Sequence, residues 1–503
     1  MATNVDIVQL PDPHLEFGGV GEFVDPKEGL KQGGPFDLRF GLARRQTINI
    51  GFVSDEKMIE KGIRWLELCR QPIESKMANT AQYPHYPGFK QVFRSDLQFS
   101  PRWNFVISDE ALHGALGARK RPDTFKQVLT LFTGGIEHLS KIDTVKPDVI
   151  FCCLSSEVID KCWSIVNEKV KREDKKKIKA LANQLSLFSL DDWTKEPIEE
   201  QEEDILNRDF RRALKAKAMR FGIPIQIGTD NLFLDLSKNQ DTSIRAWNSN
   251  IALYYKAGGI PWRLRREGVE TCYVGISFHH LFTTHGKHLV RSCIAQAFSS
   301  DGEGFAIRGV NVPWTEEQGM NVHLTEDQAF QLGERILGEY QYRTGSTPLR
   351  IVLHKTTMFD DAEKAGLYAA LNNVPIVELV NLAPTEFRLV RFGLYPPLRG
   401  TLCQINEDST YLFTTGFMKS LSTYPGPHIP VPIQIKTDPH KEIDLVRVAS
   451  DVLALSRMNW NTASITGGRP VTLLFSRRVG GIMAEYGEDT PPSSLRLDRK
   501  SVV

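Results

Sequence analysis

Four cations, Arg208, Arg211, Arg212 and Lys215, follow one another at the spacing that places side chains on one face of a helix. A phosphate laid on that face would meet forked guanidinium donors and a lysine point charge, which is anion-binding chemistry. Leu206, Phe210, Ala213, Leu214 and Phe221 form an apolar stripe beside the cations, so a helix over 204–221 can dock and still present them. The plain alternative is a solvated basic face, the commoner fate of such a pattern. Two more residues fit the same chemistry. Gln226, in Ile223-Pro224-Ile225-Gln226-Ile227, alternates away from its apolar strand neighbours and offers an amide. Lys256 closes a helix at Tyr254-Tyr255-Lys256-Ala257-Gly258-Gly259, where a cation also complements the helix dipole by about 0.3–1 kcal/mol with no ligand at all.

Other reactive types are less organised. His279 and His280 are neighbours on a strand and therefore point to opposite faces, which rules out joint chelation. Seven cysteines, Cys69, Cys152, Cys153, Cys162, Cys272, Cys293 and Cys403, are scattered, mostly through apolar runs, and read as buried thiols rather than a zinc site. No glycine-rich lysine loop or dinucleotide fingerprint occurs. The net charge is only +1, so any polyanion site must be a local concentration of charge.

The elements that must position these residues alternate. Thr47–Ser54 reads as a strand feeding a helix over 55–70 behind a Ser54 cap; Val149–Ser155 leads into a helix over 157–170; and 223–227 is a third strand after the basic helix. That alternation predicts a parallel, Rossmann-like sheet. Tyr83–Phe93, punctuated by Pro84, Pro87 and Gly88, is an aromatic loop that either lines a groove or is packed by its own rings. A basic run (169–179) and an acidic one (196–204) bracket a polar insertion over about 170–204. Beyond residue 240 come a helix over 243–257, three strands (271–278, 292–298, 305–310), a helix over 325–342 with a Thr325/Gln328 capping box, a strand at 349–354, a helix at 360–371 and a strand at 375–380. Three antiparallel strands followed by helix, strand, helix and strand is an RNase H-like order. A chain of 503 residues exceeds what one core usually supports, about 250–300 residues, so two domains are expected, 1–240 and 241–503. No run reaches the ~20 apolar residues that span a bilayer and no leader opens the chain, so the cytoplasm is the expected location and no membrane partner is expected.

Several separated motifs, in order, resemble those of Argonautes, and more closely the short prokaryotic Argonautes that keep only a MID and a PIWI domain. They are PHLEFGGVG and DPKEGLKQGGPF near the start, the YPGF loop, the YYKAGG segment, LSRMNWNTA at 455–463 and GRPVTLLFSRRVG at 468–480. The resemblance implies a Rossmann-like MID domain followed by an RNase H-like PIWI domain, with Arg211, Lys215, Gln226 and Lys256 holding the 5′ phosphate of a guide strand. It also implies a C-terminal carboxylate, here Val503, that meets the guide phosphate through magnesium.

The resemblance further bears on catalysis. Cleavage by two metal ions needs clustered carboxylates, and the two aspartates that catalytic relatives carry are replaced by Ser277 and Thr356. The expectation is therefore a chain that is not an enzyme: a guide RNA pairs with complementary single-stranded DNA without cutting it. Its output would be an APAZ-domain partner fused to an effector, a TIR-type or sirtuin-type NADase before a nuclease, in prokaryotic defence; this chain itself would bind no NAD. The competing expectation is an active nuclease using displaced carboxylates such as Asp360 and Asp361.

Overall fold

A computed structural model describes residues 5–166, 207–233, 241–265, 268–282, 289–298, 304–313, 322–393, 396–405, 409–426, 429–464, 467–483 and 485. The polar insertion and Val503 lie outside the described residues, as do the side chains of His279, His280 and Cys293.

The first half holds a sheet of four parallel strands in the order Asp96–Val106, Thr47–Ser54, Val149–Leu154, Ile225–Thr229. Val149–Leu154 is buried at every residue, which is why a strand covered on both faces reads as the unbroken apolar run VIFCCL. Asp96–Val106 carries Pro101, which hid it from sequence. It is an edge strand, and Pro101 falls where the pairing with Thr47–Ser54 shifts register between Ile50 and Phe52, a place where proline removes no ladder bond. The helix Glu56–Arg70 is capped by Asp55, which accepts from the Met58 amide; Ser54, the expected cap, instead donates to the Cys153 carbonyl at 2.5 Å. The helix expected over 157–170 ends at Cys162, and Ser164–Val166 then pairs with Asn207–Asp209.

The second sheet has nine strands, in the order Val5–Gln9, Thr401–Ile405, Ser409–Leu412, Ile433–Thr437, Ile376–Pro384, Arg350–Lys355, Thr271–Phe282, Leu289–Phe298, Gly304–Pro313. The expected three-strand meander is present, and Thr271–Phe282, Arg350–Lys355 and Ile376–Pro384 run parallel beside it. Helices Glu326–Thr344, opened by the Thr325/Gln328 capping box, and Asp361–Ala370 share one apolar cluster with the sheet; Leu445–Leu455 shares another.

The two sheets do not divide the chain at one point. Strand Val5–Gln9 belongs to the second sheet, while helix Thr242–Lys256 lies in the same core as the first, with Ile48, Phe52, Trp460 and the C-terminal helix Val471–Met483. The aromatic loop joins that core: Tyr86 meets Trp247 edge-on at 5.2 Å and Phe93 stacks on Tyr254 at 4.6 Å, so its rings pack inward rather than line a groove. No described helix is long and apolar enough to cross a membrane.

Candidate nucleic-acid interface

The basic helix begins at Phe210, later than its periodicity suggested, because Asp209 caps it by accepting from the Arg212 amide at 2.9 Å. Phe210, Ala213 and Leu214 are buried beneath it, and that anchoring divides the cations. Arg208 stands on the preceding short strand, forks onto Glu485 at 3.0 and 2.7 Å and lies 5.0 Å over the Phe125 ring, so it serves structure. Arg212 turns to the C-terminal helix, where a Cβ on Gly481 would come within 3.1 Å of its Nε. Arg211 sits 5.1 Å over the Trp163 ring, half exposed.

The other expected residues converge. Lys256, only 4% exposed, donates to the Gln226 Oε1 at 2.7 Å, joining the end of helix Thr242–Lys256 to strand Ile225–Thr229. Burial drives its ammonium down to about 7, with Arg211 and Arg478 pushing the same way and Cys152 opposing. Lys215 is half-buried, and its ammonium is held well below the ordinary lysine range by desolvation, then by Lys256, Arg211 and Arg478, with Asp209 opposing. Lys256 and Gln226 are thus in direct contact, and Lys215, Arg211 and Arg478 lie near enough to act on the same ammonium groups. Desolvated ammonium groups pressed together by like charge are an arrangement that an anion relieves.

Arg478 is the residue missed from sequence. It sits in the quoted GRPVTLLFSRRVG segment, on helix Val471–Met483, which packs against the basic helix. The available signal was a pair of arginines, Arg477-Arg478, interrupting an apolar helix.

At the RNase H-like edge, Ile276 pairs with Lys355, so Ser277 on its strand and Thr356, just past the end of the neighbouring parallel strand, each follow a member of that pair. Gly275 is needed for packing: a Cβ there would lie 2.2 Å from the Thr472 carbonyl. Thr356 is exposed and its carbonyl accepts from the Asn381 amide at 2.8 Å. On the sheet face that holds Ile276 and Phe278, Lys355 and Glu363 form a buried pair, Nζ to carboxylate 2.6 and 2.7 Å, with the ammonium 5.3 Å from both the Phe278 and Phe359 rings. Asp360 caps helix Asp361–Ala370, and the fully exposed Asp361 pairs with Lys364 at 3.3 Å. His323, Asp360 and Glu363 do offer ligand atoms within 4.8 Å of one another. However, Glu363 already receives Lys355 and the Leu324 amide, so a monovalent ammonium stands where a divalent ion would need that carboxylate.

Magnesium at the guide phosphate calls for hard oxygen ligands. The oxygen ligand expected for it, the Val503 carboxylate, lies outside the described residues, and the cations among the described residues would meet the phosphate itself.

No protein-family profile matches the chain, and no curated protein does. Solved structures do match. The Clostridium butyricum Argonaute bound to a guide DNA and a 19-mer target DNA superposes with a TM-score of 0.60 at 12% identity, over 98% of this chain and 55% of its own. Aa-Ago with externally bound siRNA gives 0.54 at 15% identity, and A. aeolicus Argonaute gives 0.51 at 14%, each over 95% of this chain and 53% of theirs. The chain spans about half the length of these Argonautes. Its fold is the α/β arrangement of their MID and PIWI domains.

Proposed function

We propose that this chain, with its Argonaute fold, holds a short guide strand by a 5′ phosphate and pairs it with a complementary strand that it does not cut. Base pairing supplies the sequence specificity while the protein grips the backbone. The supporting observation is that Lys256 bonds Gln226 while Lys215, Arg211 and Arg478 press their charge on the same buried ammonium. A terminal phosphate fits because it brings up to two negative charges and several acceptor oxygens to donors that are otherwise mutually repelling.

The guide is RNA and the target single-stranded DNA in this reading, which rests on the resemblance of the motifs. So does the output: an APAZ-bearing partner whose fused effector, an NADase, is released from silence by the target-paired state, in cytoplasmic defence against plasmids or phage. Supporting the lack of cleavage are Ser277 and Thr356 at the two acidic positions, and the Lys355 ammonium that already occupies the Glu363 carboxylate. The test is to purify the chain and end-label what it carries. Short nucleic acids with uniform 5′ ends are expected, and the Lys215→Ala/Lys256→Ala variant loses them. Charge-assisted hydrogen bonds contribute roughly 1.5–3 kcal/mol each, so the double variant weakens guide binding about hundredfold or more. Nucleic acid retained unchanged by that variant overturns the reading.

One observation favours a second reading, a guided nuclease: the grouping of His323, Asp360 and Glu363. Incubating guide-loaded protein and matched target with magnesium or manganese separates the two, since cut target establishes the nuclease.

A further inference from the structure

Strands Thr271–Phe282, Arg350–Lys355 and Ile376–Pro384 run parallel, so all three release the chain at one edge of the sheet, the edge that holds Ser277 and Thr356. Asn381 fixes the third strand to that edge through the Thr356 carbonyl. The segment that leaves Pro384 reads Thr385-Glu386-Phe387-Arg388-Leu389-Val390-Arg391-Phe392-Gly393, mixing arginine with large apolar residues around a single acid.

Its base is anchored. Phe387 stacks on Tyr411 with ring centroids 4.3 Å apart and planes at 19°, and Arg388 donates to the Phe387 carbonyl at 2.9 Å. Past the anchor the apolar groups leave the protein: Val390 is 59% exposed and Phe392 95%. Arg391, between them, lies half-buried over the Phe417 ring at 5.8 Å. A single exposed ring decides nothing by itself. Here the ring alternates with arginines on a segment that leaves the sheet at the same edge as Ser277 and Thr356, and every nucleobase offers a flat face to stack upon.

We infer that Phe392 is a stacking platform for an unpaired nucleobase at this edge, with Arg388 and Arg391 drawing the adjoining phosphates to it. This rests on the guided-binding reading but on none of the pocket residues. Stacking of this kind is indifferent to base identity, so the platform would steady a strand without adding a sequence preference.

The experiment measures guide retention and target affinity for the wild type, Phe392→Ala and Phe392→Trp. Phe392→Ala should bind single-stranded target roughly five- to hundredfold more weakly, and Phe392→Trp should restore it. Emission of the introduced tryptophan should be quenched on adding guide alone if the platform takes the guide, or only on adding target if it takes the target. A wild type that retains no guide brings down the guided-binding reading and this inference with it. Guide retained, with Phe392→Ala binding target as the wild type does, overturns this inference alone.

Discussion

Lys256 is poised by its surroundings to sense its ligand. Free, its ammonium titrates near 7, because burial first and then Arg211 and Arg478 disfavour the charge. An unfolded lysine stays charged to about 10.4, so the ligand-free fold bears the full cost below pH 7 and sheds it progressively as pH rises from 7 to about 10.4. A phosphate reverses the preference, since it needs the ammonium and must raise its pKa, and binding above pH 7 takes up a proton. Affinity for a 5′-phosphorylated guide should therefore fall between pH 7 and 9, by at most about tenfold per unit from this one group. Lys215, depressed in the same direction, adds to the slope. Titrating binding by fluorescence polarisation checks this: a guide ending in a hydroxyl, or the Lys256→Met variant, should flatten the profile. An equal slope for both guides would dismiss the phosphate as the linked group. Strand alternation and helix periodicity gave the directions of Gln226, Arg211 and Lys215, but not that Arg208 precedes the helix and pairs with Glu485 or that Arg212 turns to another helix; Arg478 was not legible, since nothing local tells which neighbour an arginine in an apolar helix will reach.

Among elements, the three parallel strands and helix Asp361–Ala370 set the character of the RNase H-like edge. The Lys355–Glu363 pair ties strand to helix in a buried site. Removing one partner strands the other charge, so Lys355→Met should destabilise the fold by about 3–5 kcal/mol, whereas Lys355→Met/Glu363→Leu should be close to neutral. Denaturant unfolding of both variants distinguishes a structural pair from a surface contact, for which both changes would be slight. The pair was invisible in sequence because Glu363 was simply one acid in a helix, three residues past a cap. The capping box at Thr325 and the parallel order of the strands were visible, since both rest on contacts within a few residues or on burial of both sheet faces. Asp96–Val106 was not, because its proline sits in a bulge that only the neighbouring strand reveals.

The whole molecule is stitched across its length. Strand Val5–Gln9 closes one edge of the nine-stranded sheet, and the Gln9 amide donates to the Leu10 and Arg399 carbonyls at 2.9 and 2.7 Å. Deleting residues 1–9 would bare Thr401–Ile405, leaving an unpaired edge beside buried Leu402 and Cys403. Loss of bonds contributing roughly 0.5–1.5 kcal/mol each should lower stability by about 2 kcal/mol or more, and light scattering should report aggregation on warming. A truncated chain as stable and monodisperse as the full one would show the strand to be ornamental. No periodicity marked this strand, whose five residues are all exposed. The same stitch imposes a schedule on the ribosome. Gln9 is separated from its Arg399 partner by 390 positions, so at about 5–20 residues per second the segment Val5–Gln9 waits roughly 20–80 s for the strand that takes up its backbone groups.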